Sequence, residues 1–213
     1  VGEDGPTHQP VEQEAQIRLL EKLKNHSGKP SFLALRPADS AETTVAWKMA
    51  LENKETPTGL ILSRQNIKDI PAMGTSRYTE ALASEKGGYL VKKAANPDVV
   101  LIANGSEVST LVEAAELLEE REPLKVSIAS IISEGLFRLQ SKAYQESTIP
   151  KNTPLYGLTA GLPVNLDALV GDNGKVFGLD HFGYSAPANV LDEKFGFTGE
   201  KVCQNIIDYL KTV

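Results

Sequence analysis

The sequence predicts an α/β protein of two units, the second of which is a three-layer α/β domain with a mainly parallel sheet. Short apolar runs of strand length alternate with amphipathic stretches of helical periodicity, which is the order typical of parallel sheets. A weakly periodic stretch with proline, glycine and polar residues lies between two such groups. We therefore expect a first unit over 1–70, a linker over 71–87 and a second unit over 88–213.

Composition excludes several classes of protein. Of the 213 residues, 41% are hydrophobic and 23% charged, which is ordinary for a globular protein. A net charge of −6 leaves no basic field, so we expect no nucleic-acid partner. No stretch approaches the ~20 apolar residues of a membrane span, and we expect no membrane partner. Cys203 is the only cysteine, which excludes an intramolecular disulfide and fits a cytoplasmic location.

The first dozen residues contain a loop that ends by starting a helix. Gly5 and Pro6 are typical of a turn, and Pro10 suits the first position of a helix. Asp4 and His8 would then lie together on a short, stiff loop. A carboxylate and an imidazole placed there can hydrogen-bond a polyhydroxylated ligand. The alternative is that both are capping or solvated groups.

The rest of the first unit is predicted to alternate helix and strand. A helix is expected from Pro10 to about Asn25, and a buried strand over 31–37. A second helix would be capped by Asp39 or Ser40, with Trp47 packed on it. A strand over 58–63 then places Arg64 at its carboxyl end, where parallel sheets bind ligands. Arg64 could hold a phosphate through two N–H groups, or pair with a carboxylate on the surface.

The second unit is predicted to have five short strands. They are followed by helices that begin near Ser106, Lys142, Ala188 and Gly199. The loop before the first of these helices has a single glycine, so a dinucleotide fingerprint fails. We interpret His181 as structural and Cys203 as inert packing, and no metal-spaced cluster is present. The predicted strands are Tyr89–Lys92, Asp98–Ala103, Leu124–Ile128, Leu155–Leu158 and Lys175–Leu179.

Several strings resemble transketolases, in the same order and at similar spacing. They are GEDGPTHQPVEQ at 2–13, LRPAD at 35–39, VAWK at 45–48 and LSRQN at 62–66, then GGYLV, GSEV, FGYSAP and EKFGFT in the second unit. The resemblance implies that 1–70 is the truncated end of a thiamine-enzyme pyrimidine-binding domain. It implies that 88–213 is the transketolase C-terminal domain.

The resemblance also implies a reaction and a set of residues. Transketolases transfer a two-carbon ketol unit from a ketose phosphate to an aldose phosphate, with thiamine diphosphate as electron sink. His8 would be catalytic, contacting the reacting end of the donor and assisting proton transfer. Asp4 would accept a hydrogen bond from an acceptor hydroxyl, and Arg64 would bind the phosphate of the sugar.

The chain is expected to be a fragment that is inactive alone. It opens at Val1, without Met, inside the expected functional loop. In the family, the metal and diphosphate motif belongs to N-terminal domains upstream of this point. Thiamine diphosphate and Mg²⁺ (or Ca²⁺) would bind the full-length enzyme, and none would bind this chain. Its partners would be sugar phosphates, the missing domains and a second copy in a homodimer of the pentose phosphate pathway. The alternatives are another thiamine-dependent carboligase and a non-catalytic α/β assembly or ligand-binding domain.

Overall fold

A computed structural model describes residues 5–172 and 174–213, which form nine α-helices and seven strands, with 3₁₀ turns at Pro6–His8 and Leu82–Lys86. The helices are α1 Gln13–Leu20, α2 Ser40–Glu52, α3 Arg77–Ala81, α4 Glu107–Arg121, α5 Glu134–Arg138, α6 Lys142–Thr148, α7 Val164–Val170, α8 Ala188–Phe195 and α9 Gly199–Leu210. The strands are β1 Leu33–Leu35, β2 Thr58–Leu60, β3 Tyr89–Lys92, β4 Val99–Ala103, β5 Val126–Ser130, β6 Leu155–Leu158 and β7 Lys175–Phe177. None of these helices is long and apolar enough to cross a membrane.

The first unit has a two-stranded parallel sheet. β1 and β2 pair with Leu35 opposite Leu60, which confirms the two predicted strands in shorter form. The predicted cap of α2 is confirmed, since the Asp39 carboxylate accepts a hydrogen bond from the Glu42 N–H at 2.8 Å. Trp47 is 52% exposed, so the prediction that it packs within this unit is wrong.

The second unit has a five-stranded sheet in the order β3-β5-β4-β6-β7. Only β3 runs antiparallel to its neighbour, which confirms the mainly parallel sheet. Side chains alternate between its two faces. Leu101 belongs to a buried cluster with residues of α4 and α9, whereas Ile102 clusters with Phe137 of α5 and Leu166 of α7. Helices on both faces give the predicted three layers.

The first predicted helix is shorter than expected. α1 begins at Gln13 and ends at Leu20, rather than running from Pro10 to Asn25. The Asn25 side-chain oxygen accepts hydrogen bonds from the N–H groups of Ser27 and Lys29, both at 3.0 Å. Such local side-chain bonds favour a turn over a helix at 25–29, beyond the end of α1.

The connection over 71–87 contains structure that its weak periodicity did not predict. It includes α3 and a 3₁₀ turn, and Arg77 of α3 pairs with Asp39 at 2.6 Å and with Glu42 at 3.1 Å. The short helix is stabilised by these charged contacts rather than by an apolar stripe. The domain boundaries themselves stay predictions.

The start of α4 also differs in detail from the prediction. The Ser106 hydroxyl does not cap the helix but donates to the Glu107 carboxylate at 2.8 Å. The inner face of α4 is apolar, and Val108, Leu111 and Leu118 on it are buried. Cys203 of α9 is fully buried in the same cluster, which fits a packing role.

Candidate functional site

His8 lies on a short loop that precedes α1. The loop contains one 3₁₀ turn, Pro6–His8, which Gly5 enters with a φ of 83°. His8 is exposed, and its Nδ1 lies 3.3 Å from the Thr7 hydroxyl. The imidazole is thus accessible to a ligand. Gly5 permits the turn that carries it, and Pro6 restricts the backbone of that turn. Asp4 lies outside the described residues.

Two hydrogen bonds connect this loop to the second unit. The Gly183 N–H donates to the Gln9 carbonyl at 2.8 Å, and the Gly5 N–H donates to the Ser185 hydroxyl at 3.1 Å. In the sequence, 182–187 is the string FGYSAP, which resembles transketolases and precedes a predicted helix. No local signal connects residues so far apart in the chain.

The segment that holds the loop packs on a small aromatic group. Tyr184 stacks on Phe195 with ring centroids 5.5 Å apart, and the Lys194 ammonium lies 4.8 Å from the centre of the Tyr184 ring. The His181 and Phe195 rings also lie close, with centroids 5.5 Å apart. The His181 Nδ1 is 2.7 Å from the Phe182 carbonyl.

Arg64 lies beyond the carboxyl end of β2, at the edge that the sequence predicted. It is exposed and has no hydrogen-bond or ion-pair partner among residues 5–172 and 174–213. The alternative of a surface pair with a carboxylate is therefore not seen in that part of the chain. No hydrogen bond joins His8 to Arg64 in that part of the chain either.

A buried ionic cluster anchors α1 behind the His8 loop. We name Glu14, Arg18, Arg36, Asn104 and Glu107 the Arg36 cluster. Arg36, directly after β1, pairs with Glu107 at 2.5 Å and with Glu14 at 3.7 Å. Its guanidinium also donates to the Asn104 side-chain oxygen at 2.5 Å, and Glu14 accepts from Arg18 at 2.8 Å. The cluster joins the helix that follows His8 to the carboxyl ends of β1 and β4.

The charges of this cluster stabilise each other. Burial by itself raises the pKa of the Glu14 carboxyl, but the nearby Arg36 and Arg18 guanidinium groups outweigh it and lower that pKa. Burial likewise disfavours the charged form of Arg36, yet Glu107 and Glu14 raise its pKa. Both shifts favour the charged forms of Glu14 and Arg36. Gly105 is required beside it, because a Cβ there would lie 2.8 Å from the Arg36 guanidinium carbon.

The described residues do not fit a metal site. Within 5–172 and 174–213, no three His, Cys, Asp or Glu side chains are grouped so that they could hold a metal ion. No ligand of Mg²⁺ or Ca²⁺ is therefore assigned to this part of the chain.

Two family models match the chain in succession. The model described as the pyrimidine-binding domain of transketolase matches residues 1–69, and that of the transketolase-like C-terminal domain matches residues 87–198, more than half of the chain. The chain belongs to the transketolase family. The family and the match to its pyrimidine-binding domain imply dependence on thiamine diphosphate.

Curated transketolases match over almost the whole chain. Transketolase 1 of Vibrio vulnificus (strain YJ016) is 43% identical over 205 residues, which are 95% of this chain and 29% of that protein. The transketolase of Staphylococcus aureus (strain MW2) is 39% identical over 209 residues, which are 97% of this chain and 30% of that protein. The chain thus spans less than a third of the length of these relatives.

Solved transketolases have the same fold. A transketolase of Pichia stipitis in complex with xylulose 5-phosphate has a TM-score of 0.84 and 31% identity, over 99% of this chain and 28% of that one. The transketolase of Leishmania mexicana has a TM-score of 0.83 and 36% identity, over 99% of this chain and 28% of that one. A split-gene transketolase, described as an inactive tetramer of four beta subunits, matches 97% of this chain and 64% of that one with a TM-score of 0.71. Its identity is only 19%, so this likeness shows the fold alone.

Proposed function

We propose that this chain is the carboxyl-terminal part of a transketolase that transfers a two-carbon ketol unit from a ketose phosphate to an aldose phosphate. The observation that carries the proposal is 43% identity to a curated transketolase over 95% of the chain. Because the chain spans 29% of that relative, the domains that complete the enzyme are assigned to sequence upstream of Val1. No specific observation favours a non-catalytic assembly or another thiamine-dependent carboligase.

In this proposal, His8 and Arg64 bind opposite ends of the donor sugar. The exposed His8 imidazole hydrogen-bonds the hydroxyls at the reacting end and moves a proton there. The Arg64 guanidinium, which has no partner among the described residues, donates two N–H bonds to the phosphate. Asp4 accepts a hydrogen bond from an acceptor hydroxyl. Bound thiamine diphosphate supplies the electron sink.

The first test measures ketol transfer by the polypeptide that includes this chain and its upstream sequence. With thiamine diphosphate, Mg²⁺, a ketose phosphate and an aldose phosphate, we expect sugar phosphates lengthened and shortened by two carbons. His8→Gln should lower kcat by about 10²–10⁴-fold, the range for a lost acid–base group. Failure of the unmodified polypeptide to transfer the ketol unit would contradict the proposal.

Arg64 can be tested separately with a matched arginine. Arg64→Lys loses the two-pronged geometry and should raise KM for the donor by about tenfold or more, the cost of a lost charged hydrogen bond. Arg121→Lys is the control, because Arg121 is also a surface arginine but pairs with Glu200. Equal KM values for the two variants would contradict the proposal that Arg64 binds the phosphate.

A further proposal is that the cofactor binds outside this chain. Calorimetric titration of the 213 residues with thiamine diphosphate and Mg²⁺ should then show no saturable binding. Its supports are the short span relative to the curated enzymes and the lack of a metal-holding group in the described residues. Saturable binding would place cofactor ligands within the chain.

We also propose a cytoplasmic homodimer of the pentose phosphate pathway. A single, buried cysteine suits a reducing compartment. Leu51, Leu62 and Trp47 of the first unit are more than half exposed, a surface that subunit contacts could cover. Sedimentation of the complete polypeptide tests the dimer, and a monomer that retains full activity would contradict it.

A further inference from the structure

The His8 loop has little structure of its own. Its internal backbone hydrogen bonds are those of one 3₁₀ turn, from the His8 N–H to the Gly5 carbonyl at 3.2 Å and from the Gln9 N–H to the Pro6 carbonyl at 2.9 Å. None of its three helical residues is buried. A single exposed turn does not by itself hold an imidazole in one place, so other groups must fix its position.

Two hydrogen bonds from the second unit enclose His8 on both sides. The bond between Gly5 N–H and the Ser185 hydroxyl lies three residues before it, and the bond between Gly183 N–H and the Gln9 carbonyl lies one residue after it. Both partners come from the same three-residue segment. This segment therefore fixes the two ends of the turn that presents the imidazole.

The contact at Gly183 is a close fit. A Cβ at this position would lie 3.0 Å from the Gln9 Cβ, at the limit that real side chains reach. The segment is itself supported, since Tyr184 between the two contact residues stacks on Phe195 of α8. The loop thus rests on a part of the second unit that has its own packing.

We propose that Gly183 and Ser185 are positioning residues for His8, so that the second unit shapes the sugar site although its side chains do not react. The inference rests on the proposed catalytic role of His8. It assigns to residues 183–185 the placement of the imidazole, with Ser185 bonding the start of the turn and Gly183 its end. Placement errors of about 1 Å can cost about 10²-fold in rate.

The kinetic test combines variants at residues 185 and 8. In the complete polypeptide, Ser185→Ala should lower kcat by about tenfold with KM for the donor within about twofold, because Arg64 still holds the phosphate. Ser185→Thr keeps the hydroxyl and should restore most of the rate. On a His8→Gln background, Ser185→Ala should have no further effect, since the two residues act through one group. Additive losses would overturn the proposal.

Two controls separate positioning from general loss of structure. Ser147→Ala removes an exposed serine hydroxyl of α6 and should leave kcat unchanged. Gly183→Ala should reduce kcat as Ser185→Ala does, whereas Gly74→Ala adds a Cβ at ordinary van der Waals distance, 3.8 Å from the Glu80 carboxylate, and should not. A Gly183→Ala enzyme with full kcat would contradict the inference.

Amide exchange in the 213-residue chain gives a readout that is independent of catalysis. Ser185→Ala should speed exchange in residues 5–9 by about tenfold and leave α9 unchanged, because only the loop loses an anchor. Faster exchange throughout the variant, or exchange rates equal to those of the unmodified chain, would overturn the positioning role of Ser185. If the unmodified enzyme transfers no ketol unit while the loop still loosens, the proposed function fails and the anchoring of the loop stands.

Discussion

The two units of the chain differ in how their interiors are built. In the second unit, every residue of β4 and β5 is buried, and helices cover both faces of the sheet. In the first unit, the buried apolar cluster consists of Leu35 and Ala46 together with Ile132, which comes from the second unit. Leu51 of α2 is 75% exposed. The first unit therefore depends on docking for stability that the second unit obtains from its own core.

Buried ion pairs accompany this docking. Besides the Arg36 cluster, Arg77 of α3 pairs with the fully buried carboxylates of Asp39 and Glu42, and the Tyr89 hydroxyl of β3 donates to Glu42 at 2.9 Å. Burial raises the pKa of Glu42, although the Ala38 N–H and the Arg77 guanidinium oppose it. Buried charges are costly unless each is paired, so these contacts are sensitive to the loss of one member.

The largest expected effect tests the ionic docking. Arg77→Ala leaves two buried carboxylates without their cation and should reduce the free energy of unfolding by about 3–5 kcal/mol. Arg121→Ala is the matched control, because Arg121 makes a two-pronged pair with Glu200 at the surface, where the loss of a pair should change stability far less. Urea unfolding of the two variants measures both. Equal losses would show that burial of the pair does not matter.

The core of the second unit should be nearly as sensitive. Leu101→Ala removes a fully buried side chain of β4 and should cost about 2–5 kcal/mol through lost burial and the cavity left behind. Leu139→Ala, at a leucine that is 66% exposed in the same unit, should change stability by no more than about 0.5 kcal/mol. A small loss at Leu101 would mean that this core is less tightly packed than the structure shows.

A smaller effect with a defined pH dependence is expected at Glu14. Its lowered pKa means that ionised Glu14 stabilises the fold above its ordinary value of 4.5, and that this stability is lost as the pH falls through the folded pKa. Glu14→Gln should cost about 1–3 kcal/mol at pH 7 and progressively less toward pH 3. Unfolding in urea across this range measures the difference. Glu116→Gln, at an exposed glutamate of α4, should show no such convergence.

The smallest effect is expected on the exposed face of the first unit. Leu51→Lys replaces a mostly exposed leucine and should change the free energy of unfolding of the 213-residue chain by no more than about 0.5 kcal/mol. Thermal and urea unfolding measure this change. A loss of several kcal/mol would show that α2 is packed more tightly than its exposure indicates, and would remove the contrast between the units.

Sequence patterns predicted most elements because their signals are local. The alternation of apolar strands and amphipathic helices predicted the parallel sheet, and Asp39 was one of two residues predicted from residue type to cap α2, which a side-chain hydrogen bond confirms. Where local signals competed, prediction was weaker. α1 ends at Leu20, before the turn at Asn25 that the sequence predicted as its end, and α3 was missed because its contacts are ion pairs rather than an apolar stripe.

The candidate site divides in the same way. The exposure of His8 and Arg64 follows from a turn and a strand end that the sequence indicates. That Gly183 and Ser185 hold the His8 loop could not be predicted, because their hydrogen bonds join residues at opposite ends of the chain. The domain boundaries, and the roles of Asp4, His8 and Arg64, stay predictions.

By itself, the sequence determined the fold class, the order of the elements and the resemblance to transketolases, because periodicity, capping and short motifs act over a few neighbouring residues. Only the tertiary structure decided which charges are buried together and which segment supports the His8 loop. The Arg36 cluster joins α1, β1, β4 and α4, and its energy depends on burial, which exists only after these elements pack. The placement of His8 likewise depends on a contact that only the folded chain can form.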